Sequence, residues 1–194
     1  MPNSTVLKPK NIVLGSGDLF YKEVEDNFDI DTFDTETFCV AANLFGCIKG
    51  GATLSYVPEM YTASDDNGDH KKTVLTSEDV TLKTGIMVFN ANTLDALAET
   101  GRVTEDKTKK RRILKVGGLK NAKGKRYVFC FHHADKQDGD IWVIIAGNNQ
   151  SGFELAFATD SETVIDIELK ALPLLDDEGT LVAYIEEDSR ISAV

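Results

Sequence analysis

Alternating apolar and polar residues recur along the chain and predict a protein built mainly from β-strands. Such alternation sends successive side chains to opposite faces of a strand, so that one face is buried and the other meets water. The strand-like segments are residues 47–60, 73–75, 79–89, 153–157, 163–171 and 180–185. In the segment that ends at residue 171, Ile165, Ile167 and Leu169 are expected to face inward. Asp166 and Glu168 then face outward.

Two further segments, 127–131 and 141–146, are apolar on both faces. Strands of this kind are covered on both sides, as in the centre of a sandwich or a barrel. A tight turn is expected between them at 138–140. Asn67-Gly68 predicts a second hairpin turn, and 121–124 is expected to form a third between the strands that flank it.

One short helix is predicted after the strand 79–89. Asn92 is the expected N-cap, Leu94 and Leu97 supply an apolar stripe, and Gly101 is expected to end the helix. A helix of roughly nine residues is marginal alone, so we expect it to pack against a sheet.

The composition fits one globular domain. The chain has 194 residues, of which 42% are hydrophobic and 27% charged, and both fractions are ordinary. We expect residues 1–10 to form a flexible N-terminal arm and 11–194 a single mainly β domain, a β-sandwich or partial barrel with one short flanking α-helix. The sequence shows neither an apolar run long enough for a membrane helix nor a signal peptide, so we expect a soluble protein. Three cysteines, Cys39, Cys47 and Cys130, are an odd number and are expected to be reduced.

The charge is distributed unevenly. The formal net charge is −11, yet residues 107–126 hold ten of the 21 basic residues and no acidic one. The basic stretch 107–112 has three interpretations: a nucleic-acid contact, a solvated loop, or a contact with an acidic surface of another subunit. No aromatic residue lies within 107–126 for a base to stack on, which weakens the first interpretation for single strands.

The motifs tested for chemistry fail on spacing or context. Residues 15–20 lack the third glycine of a dinucleotide loop, and 118–126 have the wrong spacing for a phosphate loop. Cys130, His132 and His133 lack the further ligands that a zinc site needs. We therefore expect no catalytic residue, no metal and no cofactor, and the enzyme hypothesis is the weakest.

Several segments together resemble a known family. They are Lys49-Gly50-Gly51-Ala52-Thr53-Leu54-Ser55-Tyr56, Leu82-Lys83-Thr84-Gly85-Ile86-Met87, Phe89-Asn90-Ala91-Asn92-Thr93-Leu94, Asp138-Gly139-Asp140-Ile141, Gly147-Asn148-Asn149-Gln150-Ser151-Gly152-Phe153-Glu154-Leu155-Ala156-Phe157 and Leu175-Asp176-Asp177-Glu178-Gly179-Thr180-Leu181. The chain resembles the major tail tube proteins of long-tailed, siphovirus-type bacteriophages and prophages of Gram-positive bacteria over roughly residues 45–187.

The resemblance implies a structural virion protein. Six subunits of such a protein close a ring, rings stack into the hollow tail tube, and phage DNA passes through the lumen as cargo. It implies assembly in the bacterial cytoplasm, contact with the tape measure and other tail proteins, and no membrane partner. An anionic lumen would repel DNA phosphates, and its candidates are Glu162, Asp166 and Glu168.

The charge pattern suggests where subunits meet. The acidic turn with Asp65, Asp66 and Asp69 resembles the long loop with which such proteins contact the next subunit. We expect this turn, or the turn with Asp176 and Asp177, to meet a basic segment of a neighbour whose candidates are Lys109, Lys110, Arg111 and Arg112. The alternatives are a nucleic-acid-binding module using 107–126 and a tail terminator or connector that forms one ring.

Overall fold

A computed structural model describes residues 16–24, 28–136, 139–160 and 162–187. The expected N-terminal arm at 1–10 lies outside the described residues, as does Asp138 of the expected turn at 138–140. The strands are β1 (Asp18–Glu23), β2 (Leu44–Ser64), β3 (Lys71–Ile86), β4 (Arg102–Asp106), β5 (Arg111–Lys115), β6 (Tyr127–His133), β7 (Ile141–Asn149), β8 (Ile165–Ala171) and β9 (Val182–Glu186). The helices are α1 (Thr35–Phe38) and α2 (Ala91–Leu97), with 3₁₀ turns at Ile30–Thr32, Ala41–Asn43 and Leu119–Asn121.

Six antiparallel strands close on one another. The order is β1, β2, β3, β8, β7 and β6, and β6 pairs again with β1. The second edge of β7 is shared, because residues 141–145 pair with β9 and residues 147–149 pair with β8. The predicted mainly β architecture is confirmed.

The inside of the closed sheet is a continuous apolar core. Ile165, Ile167 and Leu169 are buried there, as their alternation predicts, while Asp166 is exposed and Glu168 half-buried on the outside. Other strands contribute Leu19, Phe45, Val80, Leu82, Ile86, Phe129 and Ile145.

The outer face of β6 and β7 carries a second core. Val128, Cys130, Trp142, Ile144 and Ala146 lie on it, so the prediction that these strands are covered on both sides is confirmed. The cover comes from residues 28–40, which include Phe38, and from Leu175; the Ile30 amide donates to the Leu175 carbonyl at 2.8 Å. Burying one such side chain contributes roughly 1.5–3 kcal/mol, which explains why this segment stays on the sheet although all of its charged residues are acidic.

Helix α2 begins two residues earlier than predicted. The Asn90 side chain, and not that of Asn92, caps it by accepting from the amides of Asn92 and Thr93. The helix ends at Leu97, well before Gly101, and buries Ala96 and Leu97 in the inner core. It also contacts β4 and β5. No helix among the described residues is long and apolar enough to span a membrane.

Three expectations about strands are wrong. Residues 153–157 form no strand although their pattern alternates, because they pair with no strand among the described residues. Residues 121–124 do not join paired strands, since β5 pairs with β4 and β6 pairs with β1 and β7. The segments 73–75 and 79–89 belong largely to one strand, β3, whose register shifts opposite Glu59 and Met60.

Candidate assembly interface

A long hairpin extends from the closed sheet into solvent. Val80 and Leu82 of β3 are buried in the core, whereas every residue from 56 to 78 is exposed. We call residues 56–78 the outer hairpin. Its β2 side has nine residues, Tyr56–Ser64, which at about 3.3 Å per residue gives a length of about 30 Å.

The tip of the outer hairpin is the predicted acidic turn. Gly68 has φ +75°, a conformation that glycine adopts readily, and its amide donates to the Asp65 carbonyl at 3.0 Å. The Asp65 carboxylate accepts from the His70 amide at 2.8 Å and so holds the turn. In the described part of the chain, Asp66 and Asp69 make no side-chain hydrogen bond or ion pair. These two carboxylates are the unpaired charges at the tip of the outer hairpin.

Large apolar side chains lie on both faces of the outer hairpin. Met60 pairs with Leu75 on the face that continues toward the core, and Tyr61 pairs with Val74 on the other face. Met60 and Tyr61 are 59% and 61% exposed. Such a group of apolar residues on an uncovered sheet is a typical protein-interaction surface.

The backbone edges of the outer hairpin are also open. The pairing of β2 with β1 ends at Cys47, and β3 pairs with β8 only from Thr81 onward. Internal polar contacts do stabilise the hairpin: the Tyr56 hydroxyl donates to Glu78 at 2.6 Å, and the Thr62 and Thr73 hydroxyls are 2.9 Å apart. The bond to Glu78 raises the pKa of Tyr56. A two-stranded hairpin alone is marginally stable in water, so covering it with another chain is favourable.

The basic stretch forms a second hairpin, which the sequence pattern did not predict. Strands β4 and β5 pair antiparallel, and we call residues 102–115 the basic hairpin. Arg111 Nε lies 3.3 Å from Asp106 Oδ2, and Arg112 Nε lies 3.1 Å from Glu105 Oε1. The two arginines are therefore paired within their own hairpin.

The lysines at the tip of the basic hairpin differ from the arginines. Lys110 occupies the turn with φ +50°, and the Lys109 amide donates to Asp106 Oδ1 at 3.1 Å. The side chains of Lys107, Lys109 and Lys110 have no ion-pair partner within the described ranges. Of the predicted basic contacts, Lys109 and Lys110 are thus the available charges.

The two acids of the alternative acidic turn, Asp176 and Asp177, make different contacts. Asp176 Oδ1 accepts from the amides of Glu178 at 3.0 Å and Thr180 at 2.9 Å. Hydrogen bonding, chiefly from the Thr180 side chain, lowers the pKa of Asp176. Asp176 therefore shapes its own turn, and Asp177 is the exposed acid beside it.

The three lumen candidates lie at one outer surface of the sheet, where lysines neutralise part of their charge. Glu168 Oε2 lies 2.9 Å from Lys83 Nζ, and Glu162 forms an ion pair with Lys49. Asp166 is exposed, faces Gly85 across the β3–β8 ladder, and has no ion pair to any described residue. This surface is mixed in charge and only slightly acidic.

The structure also places residues to which sequence reasoning gave no role. Phe157 is 82% exposed in the extended segment after β7, and the apolar pairs of the outer hairpin were not singled out. The sequence does contain a signal for these apolar pairs. Apolar residues lie on both sides of a polar turn, in strands that are too long for one domain to cover.

The histidines are held by structural contacts. His132 Nε2 lies 2.7 Å from Asp140 Oδ2, and its ring stacks on Trp142. His133 Nδ1 lies 2.7 Å from the Ser16 carbonyl. Among the residues that the structure describes, no three His, Cys, Asp or Glu side chains group as metal ligands.

The sequence matches no protein-family model, and a search of curated proteins finds no significant match. The surfaces described above are therefore the basis for a functional conclusion.

Proposed function

We propose that this protein is the subunit of a self-assembling tube, the major tail tube protein of a long-tailed bacteriophage or prophage, whose hexameric rings stack. The observation that carries the proposal is the outer hairpin. It carries apolar side chains on both faces and leaves both backbone edges open along a length of about 30 Å. A second copy of the chain supplies the cover that the monomer lacks.

The shape of the molecule supports repeated head-to-tail contacts. The closed sheet has few free edges of its own, so association is directed to the projecting hairpin. A surface that docks on a different surface of the next copy forms a closed ring or a continuing stack. Met60 and Leu75 are 59% and 48% exposed, so covering either of them contributes less than the roughly 1.5–3 kcal/mol of complete burial.

Charge gives the contacts a direction. The acidic tip of the outer hairpin offers Asp66 and Asp69, and the basic hairpin offers Lys109 and Lys110. Opposite charges across an interface steer association and fix its register more than they add affinity. The tip of one subunit therefore meets the basic hairpin of a neighbour.

The polar outer surface of β3 and β8 is the lumen surface in this proposal. Asp166, with Glu162 and Glu168 beside it, presents carboxylates to passing DNA. The paired Lys49 and Lys83 keep that surface from being strongly repulsive to neighbouring subunits. DNA is cargo here, and the tape measure protein and other tail proteins are the further partners.

Electron microscopy of the purified protein tests the proposal. Long hollow tubes are expected at high protein concentration. A variant with residues 58–78 replaced by Asn-Gly should stay folded but form no tubes, because Val57 and Asp79 then close a two-residue turn. Leu119→Ser, which removes a 94% exposed leucine elsewhere, is the control and should form tubes normally.

Two outcomes contradict the proposal. Tubes from the variant that lacks residues 58–78 would show that the outer hairpin is not the assembly element. Single rings that never stack, from the unmodified protein, would favour a terminator or connector.

The basic hairpin supports a second candidate, a nucleic-acid-binding module, because its tip lysines lack partners within the described residues. That function predicts DNA affinity that falls steeply with added salt. Salt-dependent DNA binding without tubes would favour it.

A further inference from the structure

Two thiols lie side by side on the outer face of β6. Cys130 is completely buried, and Cys39 is half-buried directly after helix α1. Their sulfur atoms are 3.7 Å apart although the residues are 91 positions apart in the sequence. Both are free thiols, as expected, and so is the exposed Cys47.

The surroundings make the two thiols chemically unequal. Hydrogen bonds, first from Cys130 and then from Trp142, lower the pKa of Cys39. The bond to Cys39 and burial raise the pKa of Cys130. An accessible thiol of lowered pKa beside a second, resolving thiol is the arrangement found in redox-sensitive cysteine pairs.

We propose that Cys39 and Cys130 form a reversible redox site that reacts with a low-molecular-mass disulfide and ends as an intrachain disulfide. This inference does not depend on the tube function, because both thiols lie in the body of the molecule and not in the outer hairpin.

The reaction is two thiol–disulfide exchanges. The Cys39 thiolate attacks one sulfur of glutathione disulfide, forms a mixed disulfide and releases one glutathione thiolate. Cys130 then loses its proton to that thiolate and attacks the Cys39 sulfur, which releases the second glutathione. Two protein thiols are oxidised, and one glutathione disulfide is reduced to two thiols.

The geometry needs only a local movement. The sulfur atoms must approach from 3.7 Å to about 2.05 Å. Cys130 is fixed in β6, paired with Phe20 of β1 and Ile144 of β7. Cys39 follows a four-residue helix at the surface, so Cys39 is the residue that moves. The product ties the covering segment 28–40 to the sheet.

The test uses the full chain with Cys47→Ser, incubated with glutathione disulfide. Mass spectrometry should find an intrachain product lighter by two hydrogen atoms, with peptides joined through Cys39 and Cys130. Its Tm should rise by about 5–15 °C, because the bond closes a long loop, and dithiothreitol should reverse the rise. The matched variant Cys39→Ser/Cys47→Ser should show neither effect.

A second measurement does not depend on the fold of a variant. In the unmodified protein at neutral pH, iodoacetamide should alkylate Cys39 faster than Cys47, although Cys47 is the more exposed. A Cys39–glutathione adduct that never resolves, or alkylation of Cys39 slower than that of Cys47, would overturn the proposal.

Discussion

The two hairpins of this molecule are built alike but supported differently. The basic hairpin contacts helix α2, and its side chains Val103, Ile113 and Leu114 are half-buried. The outer hairpin is longer, carries more apolar side chains, and has no cover over residues 56–78. A hairpin that the monomer needs is packed against the monomer. A hairpin of this length that leaves many apolar side chains exposed is better suited to contact with another molecule.

The charged side chains of the two hairpins also differ in whether they are paired within their own hairpin. In the basic hairpin, Arg111 and Arg112 are paired with acids of the opposite strand. Exposed pairs of this kind are worth about 0–1 kcal/mol, so they set the shape of the hairpin more than its stability. Replacing these two arginines with acidic residues would place like charges opposite each other within the basic hairpin. A loss of assembly could then result from misfolding of the hairpin rather than from a lost contact. The tip lysines give a cleaner test.

The largest effect is expected from the apolar surface. Met60→Ser/Tyr61→Ser should abolish tube formation while changing the free energy of unfolding of the monomer by at most about 0.5 kcal/mol. Phe129→Ala, in the inner core, should lower that free energy by about 3–5 kcal/mol. Sedimentation and denaturant titration measure the two quantities. A strong loss of monomer stability in the double serine variant would mean that the outer hairpin is part of the monomer's own core.

A smaller effect is expected from the tip lysines. Lys109→Glu/Lys110→Glu should raise the critical concentration for assembly roughly tenfold, which corresponds to about 1.4 kcal/mol. Lys120→Glu/Lys136→Glu changes the net charge equally and should have little effect. Adding Asp66→Lys/Asp69→Lys to the first variant should restore assembly; failure of this restoration would argue against contact between the two tips.

The alternative acidic turn should matter less. Asp177→Lys is expected to change the critical concentration by no more than about twofold, because a single exposed ion pair contributes little. If the charge reversal at Asp177 restored assembly of Lys109→Glu/Lys110→Glu, that turn and not the outer hairpin would be the partner of the basic tip.

The smallest effect concerns Asp176. Its pKa in the folded protein lies below the ordinary 3.8, chiefly because of the Thr180 hydroxyl. A lowered folded pKa gives stability that is present above pH 3.8 and is lost as the pH falls through the folded value. Thr180→Val should move the pKa of Asp176 back toward 3.8, and an NMR titration measures this shift. An unchanged pKa would show that backbone amides alone hold the carboxylate.

Sequence patterns predicted correctly those strands whose positions are determined by the burial of their apolar side chains. Alternation at 163–171 and two-sided apolar runs at 127–131 correspond to β8 and β6. The basic hairpin was missed because charges interrupt its alternation and its turn lacks glycine, which is the usual signal. The pattern at 153–157 predicted a strand, but pattern alone does not say whether a pairing partner lies within the same chain.

The candidate site was only partly readable in the sequence. The acidic tip and the basic stretch are visible as composition, and Asn67-Gly68 marks the turn between β2 and β3. Two facts depend on three-dimensional pairing: the cross-strand arginine pairs, and the exposure of Met60 and Tyr61. Solvent exposure of an apolar residue is a property of the whole fold, which local alternation does not encode.

Closure of the sheet has a consequence for how the chain folds. Strand β1 must pair with β6, which is distant in the sequence. The contacts that result join Glu23 to Lys125 across 102 positions and Ser16 to His133 across 117 positions. Pairings this distant form slowly, whereas a hairpin between consecutive strands forms within microseconds. A newly synthesised chain therefore presents its outer hairpin before its body has closed. Because an unfinished chain exposes apolar surface and unpaired strand edges, the concentration of such chains sets how much of the protein aggregates before the sheet closes.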